Sequence, residues 1–153
     1  MTHFTLNGAE VALDLPAHAT LLHALRGPLR LSSPRYGCGA EQCGSCMVLL
    51  DDKPAYACAL GLDAVAGRKV VTVEGLGSTE APHPLQAAFL AEQAGQCGYC
   101  LSGMLISAAA LLAANPDPDE EAIRAAMDPH LCRCGSHNRI IRAIRRAAQE
   151  MAQ

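Results

Sequence analysis

Eight cysteines, grouped four and four, constrain this chain more than any other feature. Cys38, Cys43 and Cys46 stand in YGCGAEQCGSC (36–46), with Cys58 further on; Cys97, Cys100, Cys132 and Cys134 follow in QCGYC and LCRCG. An even count in a small chain can mark a disulfide framework, but such a framework needs an oxidising compartment. The N-terminal MTHFTLNGAEVALDL has neither a basic segment leading into an apolar one nor a twin-arginine pair, so a cytoplasmic, reducing setting is expected. There, clustered thiols bind metal or do redox work. Aromatic residues make up only 3% of the 153 and Trp is absent, so one or two small domains would have thin cores of Ala, Leu and Val that gain from a cross-linking centre.

Charge and hydropathy exclude two classes of partner. Twelve basic against fifteen acidic residues leave a net charge of −3, which offers no footprint for nucleic acid. The longest apolar stretch, Met104 to Ala114, suits a buried helix and is too short for a transmembrane segment.

The chain changes periodicity midway. HFTL leads into Asn7-Gly8 and then AEVALDL, with Val11, Leu13 and Leu15 on one face, which predicts a hairpin. Thr20 is a predicted N-cap for the short helix LLHALR. After the cysteine loop, strands are predicted at 47–51 and 55–60, separated by Asp52-Lys53-Pro54, and at 69–74. The turn-forming GLGSTEAPHP then leads to four helical patterns, LQAAFLAEQAG, SGMLISAAALLAAN, DEEAIRAAM and HNRIIRAIRRAAQEMA. The expected class is α+β, with strands in residues 1–75, a linker at 76–84 and a helical unit over 85–153.

The spacing C-x4-C-x2-C with a distant fourth cysteine is that of a plant-type [2Fe-2S] ligand set. Gly37, Gly39 and Gly44 let the backbone bend around such a group and aim its N–H groups at sulfur. Structural zinc, which favours two C-x2-C knuckles, fits this loop poorly. The second set is more open. Cys97 and Cys100 could form a redox dithiol at a helix start, but a thioredoxin-like pair follows a strand, and CRC would be unexplained. Convergence of Cys97, Cys100, Cys132 and Cys134 on one centre is the better reading, and spacing leaves both zinc and [2Fe-2S] available.

GCGAEQCGSC followed by Cys58, QCGYCLSGM and LCRCG, in this order and over nearly the whole chain, resembles the two-cluster iron–sulfur subunit of molybdenum hydroxylases, the xanthine dehydrogenase and aldehyde oxidoreductase family. The resemblance implies a β-grasp, plant-ferredoxin-like domain followed by a four-helix-bundle domain, each holding one [2Fe-2S] cluster. It further implies a large partner subunit carrying a molybdenum-pterin cofactor, where water supplies the oxygen inserted into an N-heterocycle or aldehyde. Electrons would pass through Cys97, Cys100, Cys132 and Cys134, then through Cys38, Cys43, Cys46 and Cys58. Gln96 matches the family glutamine that contacts the pterin, and Cys134 the ligand nearest to it. No residue of this chain is expected to be catalytic. The rival readings are a free-standing two-cluster ferredoxin and a zinc-binding interaction module.

Two departures point to a branch. Ser102 replaces the proline of the usual CxPGM, and CRCGSH (132–137) replaces CRCTGY. The latter resembles the isoquinoline oxidoreductase and nicotinate dehydrogenase small subunits, which implies that the acceptor is a cytochrome rather than a flavin subunit. The remaining features read as structural. His137 is expected at a helix start, and His3, His18, His23, His83 and His130 as ordinary surface or core residues. Arg133 either tunes a centre or is solvated. Arg139, Arg142, Arg145 and Arg146 form an expected solvated face, and Leu105, Leu111 and Leu112 an expected core stripe.

Overall fold

The computed structural model describes every residue from Met1 to Gln153. Strands β1 (Thr2–Leu6) and β2 (Ala9–Leu13) pair antiparallel from Thr2↔Leu13 to Leu6↔Ala9. Asn7 and Gly8, at φ 50° and 83°, make the tight turn that suits the strand twist. Thr20 caps α1 (Leu21–Arg26) by accepting the His23 N–H at 3.2 Å. Strands β3 (Met47–Leu50), β4 (Lys53–Tyr56) and β5 (Lys69–Val71) complete a five-stranded sheet in the order β2-β1-β5-β3-β4. Only β1 and β5 pair in parallel. Phe4, Leu21, Leu25, Val48, Leu62, Val65 and Val70 form the core beneath the sheet.

Three local expectations shift. The β3–β4 turn is Asp51-Asp52, both at positive φ, and β4 begins earlier, running through Pro54 and ending at Tyr56. An edge strand can accept Pro, and the earlier end leaves Cys58 in the following turn. Strand β5 stops at Val71 because Asn7 Oδ1 accepts the Thr72 N–H at 2.9 Å, after which Val73–Gly75 forms a 3-10 turn. Between β4 and β5 lies α2 (Leu62–Val65), a single turn too short to show periodicity.

Helices α3 (Pro84–Ala91), α4 (Leu101–Ala114), α5 (Glu120–Met127) and α6 (His137–Met151) follow. His83 caps α3: its Nδ1 accepts the Leu85 N–H at 3.1 Å, while Gln86 Oε1 accepts the His83 N–H at 2.8 Å. The helix is shorter than its apolar pattern because Gln93 turns to φ 48°. Leu85, Phe89, Met104, Ile123, Ile140 and Ile144 fill the core of the four helices. The arginine face of α6 is exposed, but its charges are engaged. Arg142 and Arg146 reach Glu92, Arg145 reaches Glu120, and Arg139 donates to the Gln93 carbonyl.

The two cores meet along β3 and α4. Val48 and Leu50 face the first core, while Met47 and Leu49 pack on Ile106 of α4. Strand β3 is therefore buried on both faces, as its unbroken MVLL requires. At the same seam, a Cβ added to Gly103 would collide with the Gly44 carbonyl oxygen, so glycine alone permits this approach.

Candidate metal centres

The first thiol set is built by the loop between α1 and β3 and closed by the turn after β4. Gly39, Glu41 and Gly44 all lie at positive φ (65°, 57° and 74°), curling the backbone so that its amides face inward. The Ala40 and Gln42 N–H groups donate to Cys38 Sγ at 3.3 Å, and the Cys38 N–H donates to Cys43 Sγ at 3.4 Å. These amide donors, Ala40 first, lower the Cys38 thiol to about 7. Cys46 is only 2% exposed; burial first, then the adjacent Cys58, pushes its thiol up to about 12. A side chain at Gly37 would press on Cys43 Sγ, which leaves glycine to line that side of the thiol.

The second set joins the start of α4 to the loop between α5 and α6. Cys100 immediately precedes α4, and Gly98 and Gly135, at φ 79° and 73°, turn the two cysteine segments. The Tyr99 N–H donates to Cys97 Sγ and the Ser136 N–H to Cys132 Sγ, each at 3.5 Å. Burial raises the Cys132 thiol, but donation from Ser136 and the neighbouring amides outweighs it and the net shift is downward. Burial pushes Cys100 up to about 12. Gln96 Nε2 donates to the Cys134 carbonyl at 3.2 Å, and Gln96 opens on a cleft of about 1110 Å³ beside Leu90, which is 78% exposed.

The structure places the cysteines of the two expected sets in facing twos. Cys38 lies against Cys43 and Cys46 against Cys58; Cys97 lies against Cys134 and Cys100 against Cys132. Two pairs per set suit a two-iron cluster, in which each iron takes two thiolates, better than a tetrahedral zinc ion. The donor chemistry and the inward amides fit a [2Fe-2S] group in both places.

The sets are joined by contacts that spacing did not reveal. The Leu131 N–H, next to Cys132, donates to the Cys43 carbonyl at 3.1 Å. Arg35 Nη1 donates to the Gly98 carbonyl at 2.8 Å while its guanidinium stacks over Tyr99, whose hydroxyl donates to the Tyr36 carbonyl. His130, 2% exposed, is wedged between Gly44 and α4 with its Nε2 2.7 Å from Ser107 Oγ, and burial lowers its pKa to about 4. A histidine two residues before a candidate ligand was the available signal, but it has no ligand spacing of its own.

Comparison with known proteins identifies the class. Residues 4–69 match the family described as a 2Fe-2S iron-sulfur cluster binding domain, and residues 72–145 match the [2Fe-2S] binding domain. The chain is 49% identical to a nicotinate dehydrogenase subunit of Pseudomonas putida, covering 94% of this chain and 92% of that one. It is 47% identical to the alpha subunit of isoquinoline 1-oxidoreductase from Brevundimonas diminuta, covering 99% and 100%. Among solved structures, quinoline 2-oxidoreductase from Pseudomonas putida superposes with a TM-score of 0.93 at 36% identity, over 99% of this chain and 94% of that one. The aldehyde oxidoreductase of Desulfovibrio desulfuricans superposes with a TM-score of 0.95 at 36% identity; there the match spans 17% of a longer chain. The chain belongs to the iron–sulfur subunits of the molybdenum hydroxylase family of oxidoreductases.

Proposed function

We propose that this chain is the electron relay of a heteromeric molybdenum hydroxylase acting on an N-heterocycle. Cys38, Cys43, Cys46 and Cys58 would hold one [2Fe-2S] cluster, and Cys97, Cys100, Cys132 and Cys134 the other. In this reading residues 1–75 form a β-grasp unit, 76–84 a linker and 85–153 a four-helix bundle. Bound in these sets, the clusters supply one-electron exchange. The residues of the chain hold the thiolates, donate amide hydrogens to sulfur and shield Cys46 and Cys100 from water. With all eight cysteines serving as cluster ligands, the chain would have no thiol left to act as a nucleophile.

The observation that carries the reading is the pairing of thiols within two sets that are themselves linked by the Leu131–Cys43 hydrogen bond. Gln96 and Cys134 would face the pterin of a large molybdenum-cofactor subunit, the cleft beside Leu90 lying on the same side as Gln96. The exposed Cys38 rim would face the external acceptor. The relatives named for nicotinate and isoquinoline favour an N-heterocycle over an aldehyde, and the resemblance of the CRCGSH segment to that branch is the ground for proposing a cytochrome as acceptor. No helix is long and apolar enough to cross a membrane. We assign the complex to the cytoplasm, the compartment that suits eight unbridged thiols.

The test is metal and sulfide analysis of the chain with whatever copurifies, joined to low-temperature EPR after dithionite reduction. About four irons per chain, two distinct rhombic signals and molybdenum on a larger copurifying protein are expected, since each [2Fe-2S] cluster uses four cysteines. Zinc without EPR signals would replace this reading with an interaction module. Two clusters without any molybdenum partner would make the chain a free-standing ferredoxin.

A further inference from the structure

Three buried side-chain polar atoms in the whole chain lack a hydrogen-bond partner: Ser102 Oγ, Ser136 Oγ and His130 Nδ1. All three belong to residues within four positions of Cys100 or Cys132, whose thiols face each other. His130 Nδ1 lies against the Gly44 backbone. Ser136 is the informative member. It precedes α6 at the position where a serine hydroxyl ordinarily accepts an N–H of the first turn, yet its side chain makes no capping bond. Its backbone, at φ −78° and ψ 3°, is not in the extended conformation that capping requires. Ser136 is 4% exposed, so solvent does not serve the hydroxyl either.

A buried hydroxyl left unpaired is costly, so a partner is expected at the site itself. The Ser136 N–H already donates to Cys132 Sγ at 3.5 Å, and the hydroxyl is only three covalent bonds from that nitrogen. Gly135, at φ 73°, supplies the turn that brings the Ser136 N–H back onto the thiol. Resting on the assignment of Cys97, Cys100, Cys132 and Cys134 as one cluster's ligands, the geometry points to Ser136 as a potential-setting residue. Its hydroxyl, which finds no acceptor among the chain's own atoms, Cys132 Sγ included, donates a hydrogen bond to a sulfide of that centre. The bond strengthens when the centre gains one electron and with it negative charge; the proton stays on Ser136. Hydrogen bonds to sulfur favour the more negative state and so raise the reduction potential. Ser136 thereby makes this centre easier to reduce than it would be without the hydroxyl. This is a positioning role, distinct from ligation.

The test is a redox titration of the purified complex followed by EPR, comparing wild type with Ser136→Ala and Ser136→Thr. In Ser136→Ala the signal of the second set is expected to titrate lower, its reduced-to-oxidised ratio at fixed potential falling about tenfold, equivalent to ~59 mV for one electron. The other signal and the iron content should not move, and Ser136→Thr, which keeps the hydroxyl, should titrate like wild type. An unchanged midpoint in Ser136→Ala with both signals intact would overturn the role of Ser136 while leaving the ligand assignment standing. Loss of half the iron in Ser136→Ala would also overturn it, since the hydroxyl would then be structural. A wild-type protein without a second [2Fe-2S] signal would overturn the ligand assignment and this inference together.

Discussion

Glu74 shows how one exposed carboxylate can fix the approach to a cysteine loop. Its oxygens accept the Ser33 N–H at 3.0 Å, the Thr72 hydroxyl at 2.6 Å and the Ser33 hydroxyl, tying the segment before Cys38 to the end of β5. Partial burial pushes the Glu74 carboxyl up, but donation from Ser33 and Thr72 outweighs it, and the net pKa lies below the usual 4.5. The unfolded chain therefore binds this proton first as the pH falls. The stabilisation is complete above the ordinary carboxylate pKa and is lost as the pH drops through the lower folded value. Glu74→Gln is expected to cost about 1 kcal/mol at neutral pH, the worth of hydrogen bonds to a charged acceptor reduced for exposure. Denaturant melts at a series of pH values check this. The gap between wild type and variant should shrink below about pH 4.5, and a gap that widened there would contradict the assignment.

Between elements, the decisive contact is glycine against glycine. Gly103 lies within α4, where Gly→Ala in an exposed helix interior gains about 1 kcal/mol. At this seam the added methyl would meet the Gly44 carbonyl backbone, which cannot swing away as a side chain would. Gly103→Ala is therefore expected to reverse the usual sign, destabilising by about 1–3 kcal/mol as overpacking does. Thermal melts of the two proteins would show it, and a higher Tm in the variant would rule out so tight a seam. No periodicity in the sequence announces this contact, since it depends on which helix face meets which loop. What the sequence carried well was local: the Asn7-Gly8 turn, the Thr20 cap and the apolar face of each long helix lie where neighbouring residues dictate them. What it missed turned on distant partners. Asn7, just past the end of the neighbouring β1, ends β5, and Glu92 and Glu120 gather the arginines of α6, which in one dimension read as a free basic stripe.

At the scale of the whole molecule, a grouping of the cysteines four and four was legible, because ligand spacing is a one-dimensional record of a three-dimensional requirement. Their coupling was not, because Leu131 and Cys43 are far apart in sequence and meet only when the two cores dock. The order of the two sets in the proposed relay can be tested. If the Cys97 set faces the partner and the Cys38 set the acceptor, damage to the outer set should separate two activities that the intact complex performs together. Cys38→Ser is expected to lower iron from about four to about two per chain and to remove one of the two EPR signals. Substrate should still reduce the partner's molybdenum in that variant, because the inner set remains whole. Turnover with an external acceptor should fall at least about tenfold, the consequence of raising the barrier by roughly 1.4 kcal/mol or more. Anaerobic reduction by substrate, followed optically, reports the first activity, and steady-state dye reduction reports the second. Full-rate dye reduction in Cys38→Ser would mean that electrons leave from the inner set, and the order of the relay would have to be reversed or shortened.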